Sequence, residues 1–159
     1  VNKATRIHWL TVSIFVTLQL FAVRFFPHIS FFPDLLFLIL AYTALKSGFL
    51  KTYFIACTIG WLTDYLCGGL IGVFGFSRVV AGALLHETVH YIDLKKRGLI
   101  FFLIFVSLFL SNGIAFIFFY LINKSPLSMS LLLWQPLATA SFALLLVYWK
   151  KINIIWDVF

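Results

Sequence analysis

Most residues whose types and spacing could do chemistry fall between positions 60 and 93. His86-Glu87-Thr88-Val89-His90 matches H-E-x-x-H, where two histidines on one helical face can ligate zinc and the glutamate can act as general base. A zinc site also needs a third ligand and an open coordination position. The acidic residues are Asp34, Asp64, Glu87, Asp93 and Asp157. Asp93 is one turn from His90 on the same helix, an awkward place for a third ligand, and Asp157 lies in the tail. The expectation is therefore no metal site, with His86 and His90 the only candidates, and a polar helix end that is solvated or paired near the cytoplasmic headgroups.

Two further constellations stand out. Asp64 and Arg78 flank a link with four glycines in nine residues, GGLIGVFGF, too permissive for an ordinary helix interior. They are expected to form an ion pair or a hydrogen-bonded network that fixes the helix packing, or to line a cavity for a small polar solute. Ala56, Gly60, Asp64 and Gly68 follow at four-residue steps, as do Ser107, Ser111 and Ala115. Small residues at that spacing let another backbone approach closely, within one bundle or against another membrane protein. Arg78, Gly82, His86, His90, Asp93 and Arg97 form a slowly drifting stripe, expected to point inward.

The elements that position these residues must lie in a bilayer. The chain has 159 residues, 63% of them hydrophobic and 11% charged, with 20 phenylalanines. Soluble domains carry about 25% charged residues, and a fold of this size could not hide so much apolar surface. The reading is an integral membrane protein. The net charge of +7 comes from short basic clusters between apolar segments, a topology signal and not a nucleic-acid footprint. Cys57 and Cys67 lie about 15 Å apart along one helix, too far for a disulfide, and are expected to be buried free thiols.

The periodicity predicts six helices in a single domain, at about 8–26, 30–46, 51–67, 76–93, 99–122 and 131–149. The first is too long for a signal peptide and lacks a small-residue cleavage site; Ser13, Thr17 and Gln19 within it are expected to face protein. Pro33 suits the first position of the second helix, with Asp34 favouring the positive end of its dipole. Pro136 interrupts the sixth helix early. Trp156 in the tail INIIWDVF would anchor at the interface. Six spans put both termini on one side. If that side is the cytoplasm it holds Lys3, Arg6, Lys46, Lys51, Lys95, Lys96, Arg97, Lys150 and Lys151, against Arg24, Arg78 and Lys124 elsewhere. That distribution fits the positive-inside rule.

The run PDLLFLILAYTAL, then a turn, then GWLTDYLCGGLIGVFGFSRVVAGALL, resembles the rod shape-determining protein MreD family of bacteria. The family shows a Pro-Asp or Pro-Asn entering a Leu-rich helix, then glycines leading to an aspartate, then Gly and Leu-Gly before the next helix. Here those positions are Pro33, Asp34, Gly60, Asp64, Gly68 and Gly72. The motifs cover about residues 30–85, and length and six-span topology agree over the whole chain. HETVH is not part of the family pattern.

The resemblance implies an all-α, polytopic protein of the inner membrane with cytoplasmic termini, similar in fold to the substrate-binding subunits of energy-coupling-factor transporters. It implies a non-enzymatic scaffold without cofactor, acting in cell-wall elongation and rod-shape maintenance. The implied partners are a single-span MreC-like protein, the MreB filament, and a RodA-type polymerase with its transpeptidase. Self-association is left open. Two alternatives stand beside this reading. One is a small-solute-binding subunit of a vitamin transporter, against which stands the lack of a long outer loop to close over a ligand. The other is an intramembrane zinc protease, against which stand the missing third ligand and the absence of a downstream Asp-Gly pair.

Overall fold

The computed structural model describes residues 3–25, 32–67, 72–91, 97–122 and 129–148. Within them the chain forms six α-helices and no strands: α1 (Lys3–Phe25), α2 (Leu35–Lys46), α3 (Phe49–Cys67), α4 (Val73–Tyr91), α5 (Arg97–Leu121) and α6 (Met129–Tyr148). Several boundaries differ from expectation. The second helix starts at Leu35, because Asp34, not Pro33, ends the extended entry: it sits at the N-cap with its side chain accepting from Phe37 N–H. The fourth helix starts at Val73, so Gly75 is helical despite its glycine-rich surroundings. The sixth runs unbroken through Pro136, which is buried.

α2 is the centre of the bundle. It touches α1, α3, α4 and α6, and nine of its twelve residues are buried. Its sequence explains this: LLFLILAYTALK is apolar on every side, as a helix surrounded by others must be. Twelve residues rise only about 18 Å, well short of a hydrocarbon core of about 30 Å. A helix wrapped by neighbours need not reach both surfaces. Leu36, Phe37 and Leu40 of α2 pack with Ala56 of α3, Ala81 and Leu85 of α4, Leu108 of α5 and Ala140 of α6 in one apolar cluster.

The remaining contacts run α3–α4, α4–α5 and α5–α6. Among the described residues, one helix segment, Gly98–Leu121, is long and apolar enough to cross a membrane by itself; Val12–Ala22, Leu35–Lys46 and Leu132–Leu146 are shorter apolar segments. The tail with Trp156 lies outside the described residues.

The candidate site: a buried polar layer

The glycine-rich stretch builds a helix start. Gly60 packs against the first turn of α4 so closely that a Cβ there would lie 2.7 Å from the Phe74 carbonyl oxygen and 2.8 Å from Gly75 N. One turn further along α3, this approach brings Asp64 to the end of α4. Its carboxylate accepts from the N–H groups of Gly72 (2.8 Å), Phe74 (2.9 Å) and Gly75 (3.1 Å). Helix starts leave N–H groups without intrahelical partners, and a carboxylate there also meets the positive end of the dipole. The cap residue itself, Gly72, has no side chain to offer and a φ of +103°, which favours glycine. Asp64 therefore caps a helix other than its own.

Arg78 is not its partner. The expected Asp64–Arg78 pair is replaced by an Arg78–Asp34 ion pair, through Nη2 and Oδ2, with both side chains almost wholly buried. The reason is axial position. Asp64 is used at the level of Gly72–Gly75, whereas Arg78 lies one turn deeper on α4, where the start of the short α2 presents Asp34. The other Asp34 oxygen, Oδ1, accepts from Phe37 N–H at 2.9 Å. Among the described residues the Arg78 Nε and Nη1 groups have no hydrogen-bond partner. The Phe37 ring lies 5.1 Å from the guanidinium carbon, and its π face offers the cation compensation that no oxygen supplies.

Around this pair, short polar side chains tie the helices together. Asp34 N–H donates to Thr139 Oγ1 of α6 at 2.9 Å, and Leu35 N–H donates to Gln19 Oε1 of α1 at 3.1 Å. Ser111 of α5 donates to Ser77 of α4 at 3.2 Å, and Asn112 of α5 donates to Gln135 of α6 at 3.1 Å. In a nearly anhydrous interior an unpaired polar group is costly, so such contacts select one arrangement of helices.

His86 does different work. Its Nδ1 lies 3.3 Å from the Ala44 carbonyl, so the proton must be on Nδ1 for a hydrogen bond to form. Ala44 is in the last turn of α2, where carbonyls lack intrahelical partners. The ring is buried and stands edge-on to Phe49. Of the two expectations for this helix end, solvated or paired with neighbours, His86 takes the second, in a buried contact that closes the end of α2. Glu87 points outward and is exposed. Among the described residues no three His, Cys, Asp or Glu side chains converge as a metal site would need. The side chain of His90, and Asp93 altogether, lie outside the described residues.

The structure thus brings Asp34 and Arg78 together at the start of α2 and sets Gly60, Asp64 and Gly72 at the start of α4. Pro33 precedes the α2 cap, and Gly68 lies outside the described residues. The small-residue faces are filled from within the chain. Ala56 and Gly60 meet α4, with a Cβ on Gly82 falling 3.4 Å from Ala56 Cβ, and Ser107, Ser111 and Ala115 are buried. A partner helix has no room on the described part of either face. Gln19 is buried as expected, but Ser13 and Thr17 are exposed, and so is Cys57, on the outward side of α3. Thr139, Gln135, Asn112 and Ser77 were missed by sequence reasoning. Their only signal is polarity inside apolar runs, which α1 shows to be ambiguous.

The geometry joins helices and orders no nucleophile, base or metal set among the described residues. Compared with known proteins, the chain matches no curated protein and no solved structure. A family model does match, that of the rod shape-determining protein MreD, over residues 3–152. With nearly the whole chain aligned, and with Asp34, Gly60, Asp64 and Gly72 all placed where two helices begin, the chain belongs to the MreD family, a membrane protein family that acts in rod-shape determination.

Proposed function

We propose that this protein is a non-enzymatic, multi-pass scaffold of the bacterial inner membrane, with six spans and both termini in the cytoplasm. In this role it holds a single-span MreC-like protein within the wall-elongation complex, beside the MreB filament and a RodA-type polymerase with its transpeptidase. The observation that carries the reading is the family match over residues 3–152. The polar layer supports it: among the described residues the buried Asp34, Asp64, Arg78 and His86 are spent on helix ends and one ion pair, which is what a rigid platform requires. The basic residues support the topology, clustering at the ends of segments assigned to the cytoplasmic side.

The test is cell shape. Depletion of the protein in its rod-shaped host should give round cells, and expression of the full chain should restore rods. Cells that remain rods after complete depletion would refute the reading.

A further inference from the structure

The described parts of the small-residue faces of α3 and α5 are occupied inside the bundle, which leaves outward faces for a partner helix, and α4 carries an unusual one. Phe76, Val80, Leu84, Glu87 and Tyr91 follow one another at steps of four, four, three and four, the spacing of a helix-pairing seam. Phe76, Leu84, Glu87 and Tyr91 are exposed and Val80 is half-buried; α5 borders the seam where Phe76 meets Phe118. The opposite side of α4 is the one that holds Gly75, Arg78, Gly82 and His86 against α2 and α3.

Glu87 is the anomaly in this seam. It is the sole exposed carboxylate among the described residues, where it makes no ion pair and no hydrogen bond. It lies about 6 Å inside the end of α4 at Tyr91. In the proposed topology that end faces the cytoplasmic leaflet, whose anionic headgroups repel a carboxylate. A second copy of the chain packed symmetrically on the seam would set Glu87 against Glu87. A helix of another protein fits both charge and shape if it is apolar and carries a lysine or arginine at its cytoplasmic end, where positive-inside topology places such residues.

We propose that the α4 seam is the docking surface for a partner's transmembrane helix, with Glu87 pairing to a basic residue at that helix's cytoplasmic end. The inference rests on the scaffold reading and names the surface that reading uses. The test places a photo-crosslinking amino acid at Leu84 of the full chain in native membranes. The expected adduct is to the span of a different protein. Glu87→Lys should lower its yield about tenfold, and Glu87→Gln should lower it less. Reversing the charge of the basic residue on the captured helix should restore the yield with Glu87→Lys. Because Glu87 touches no part of the buried layer, both variants should unfold at the wild-type temperature. Adducts only to lipid or to a second copy, a yield indifferent to both Glu87 variants, or no rescue by charge reversal would overturn the proposal. A single-span partner that co-purifies equally with wild type and with Glu87→Lys rejects this surface and leaves the scaffold intact. No co-purifying partner for wild type refutes both.

Discussion

Gly60→Ala is the smallest change that should disable the start of α4. The added Cβ would sit 2.7 Å from the Phe74 carbonyl oxygen and 2.8 Å from Gly75 N, both backbone atoms that cannot swing aside. Gly75 Cα lies closer still, so reaching ordinary contact requires α4 to retreat from α3 by about 1 Å at this point. The same backbone segment donates to Asp64 at 2.8, 2.9 and 3.1 Å, so a rigid retreat lengthens all three hydrogen bonds. Overpacking of this kind costs about 1–3 kcal/mol. Each weakened bond to a buried carboxylate adds part of the roughly 1.5–3 kcal/mol that a hydrogen bond to a charged group contributes. These costs sum to about 3 kcal/mol, and the roughly 1 kcal/mol that alanine gains over glycine in a helix leaves a net loss of about 2 kcal/mol. The internal control is Gly75→Ala, directly opposite Gly60 on the facing helix. Its Cβ would meet only Asp64 Oδ2 at 3.6 Å, an ordinary contact, so its effect should be neutral or slightly stabilising. Denaturant-induced unfolding in mild detergent, followed by tryptophan fluorescence, measures both. If Gly60→Ala and Gly75→Ala are equally stable, the close approach does not position Asp64 and the account of the α4 cap is wrong.

Other variants probe the rest of the layer by the same unfolding measurement. Arg78→Met or Asp34→Asn alone should destabilise by about 3–5 kcal/mol, because each leaves a buried charge unpaired or its partner uncompensated, and the double variant should recover most of the loss. Combining Asp64→Asn with Arg78→Met should give additive losses, since that pair does not interact. Gly72→Ala should cost about 1–2 kcal/mol through its positive φ, as no atom of the described residues lies within 4 Å of the added Cβ. Thr139→Val removes the acceptor for Asp34 N–H and should cost about 1–2 kcal/mol, the range for polar contacts between membrane helices.

What the sequence made legible depended on whether spacing alone decides a contact. Gly60 and Asp64 share a face because they are four apart, and that face meets α4 whatever else happens. The Asp64–Arg78 pairing failed because it needed the relative depth of two helices, which no periodicity contains. The clue was the twelve-residue length of α2, which sets Asp34 far enough into the bundle to reach Arg78. The small-residue faces were visible, but not their occupants, because a face that accepts a neighbouring helix accepts one from the same chain equally well. Thr17 and Thr139 both donate to the carbonyl four residues back, at Ser13 and Gln135, yet Thr139 also receives the start of α2. His86 was readable as part of a motif, whereas its contact with Ala44 depends on where α2 ends.

In the proposed scaffold, the buried layer holds the bundle in the one arrangement that its single-span partner would recognise. The direct measurement is the amount of single-span partner that co-purifies with the full chain from native membranes, compared at equal amounts of extracted protein for wild type, Arg78→Met and the Asp34→Asn/Arg78→Met double variant. Retention by wild type, loss in Arg78→Met and recovery in the double variant are expected. Equal recovery of partner by all three, or by none, would contradict that reading.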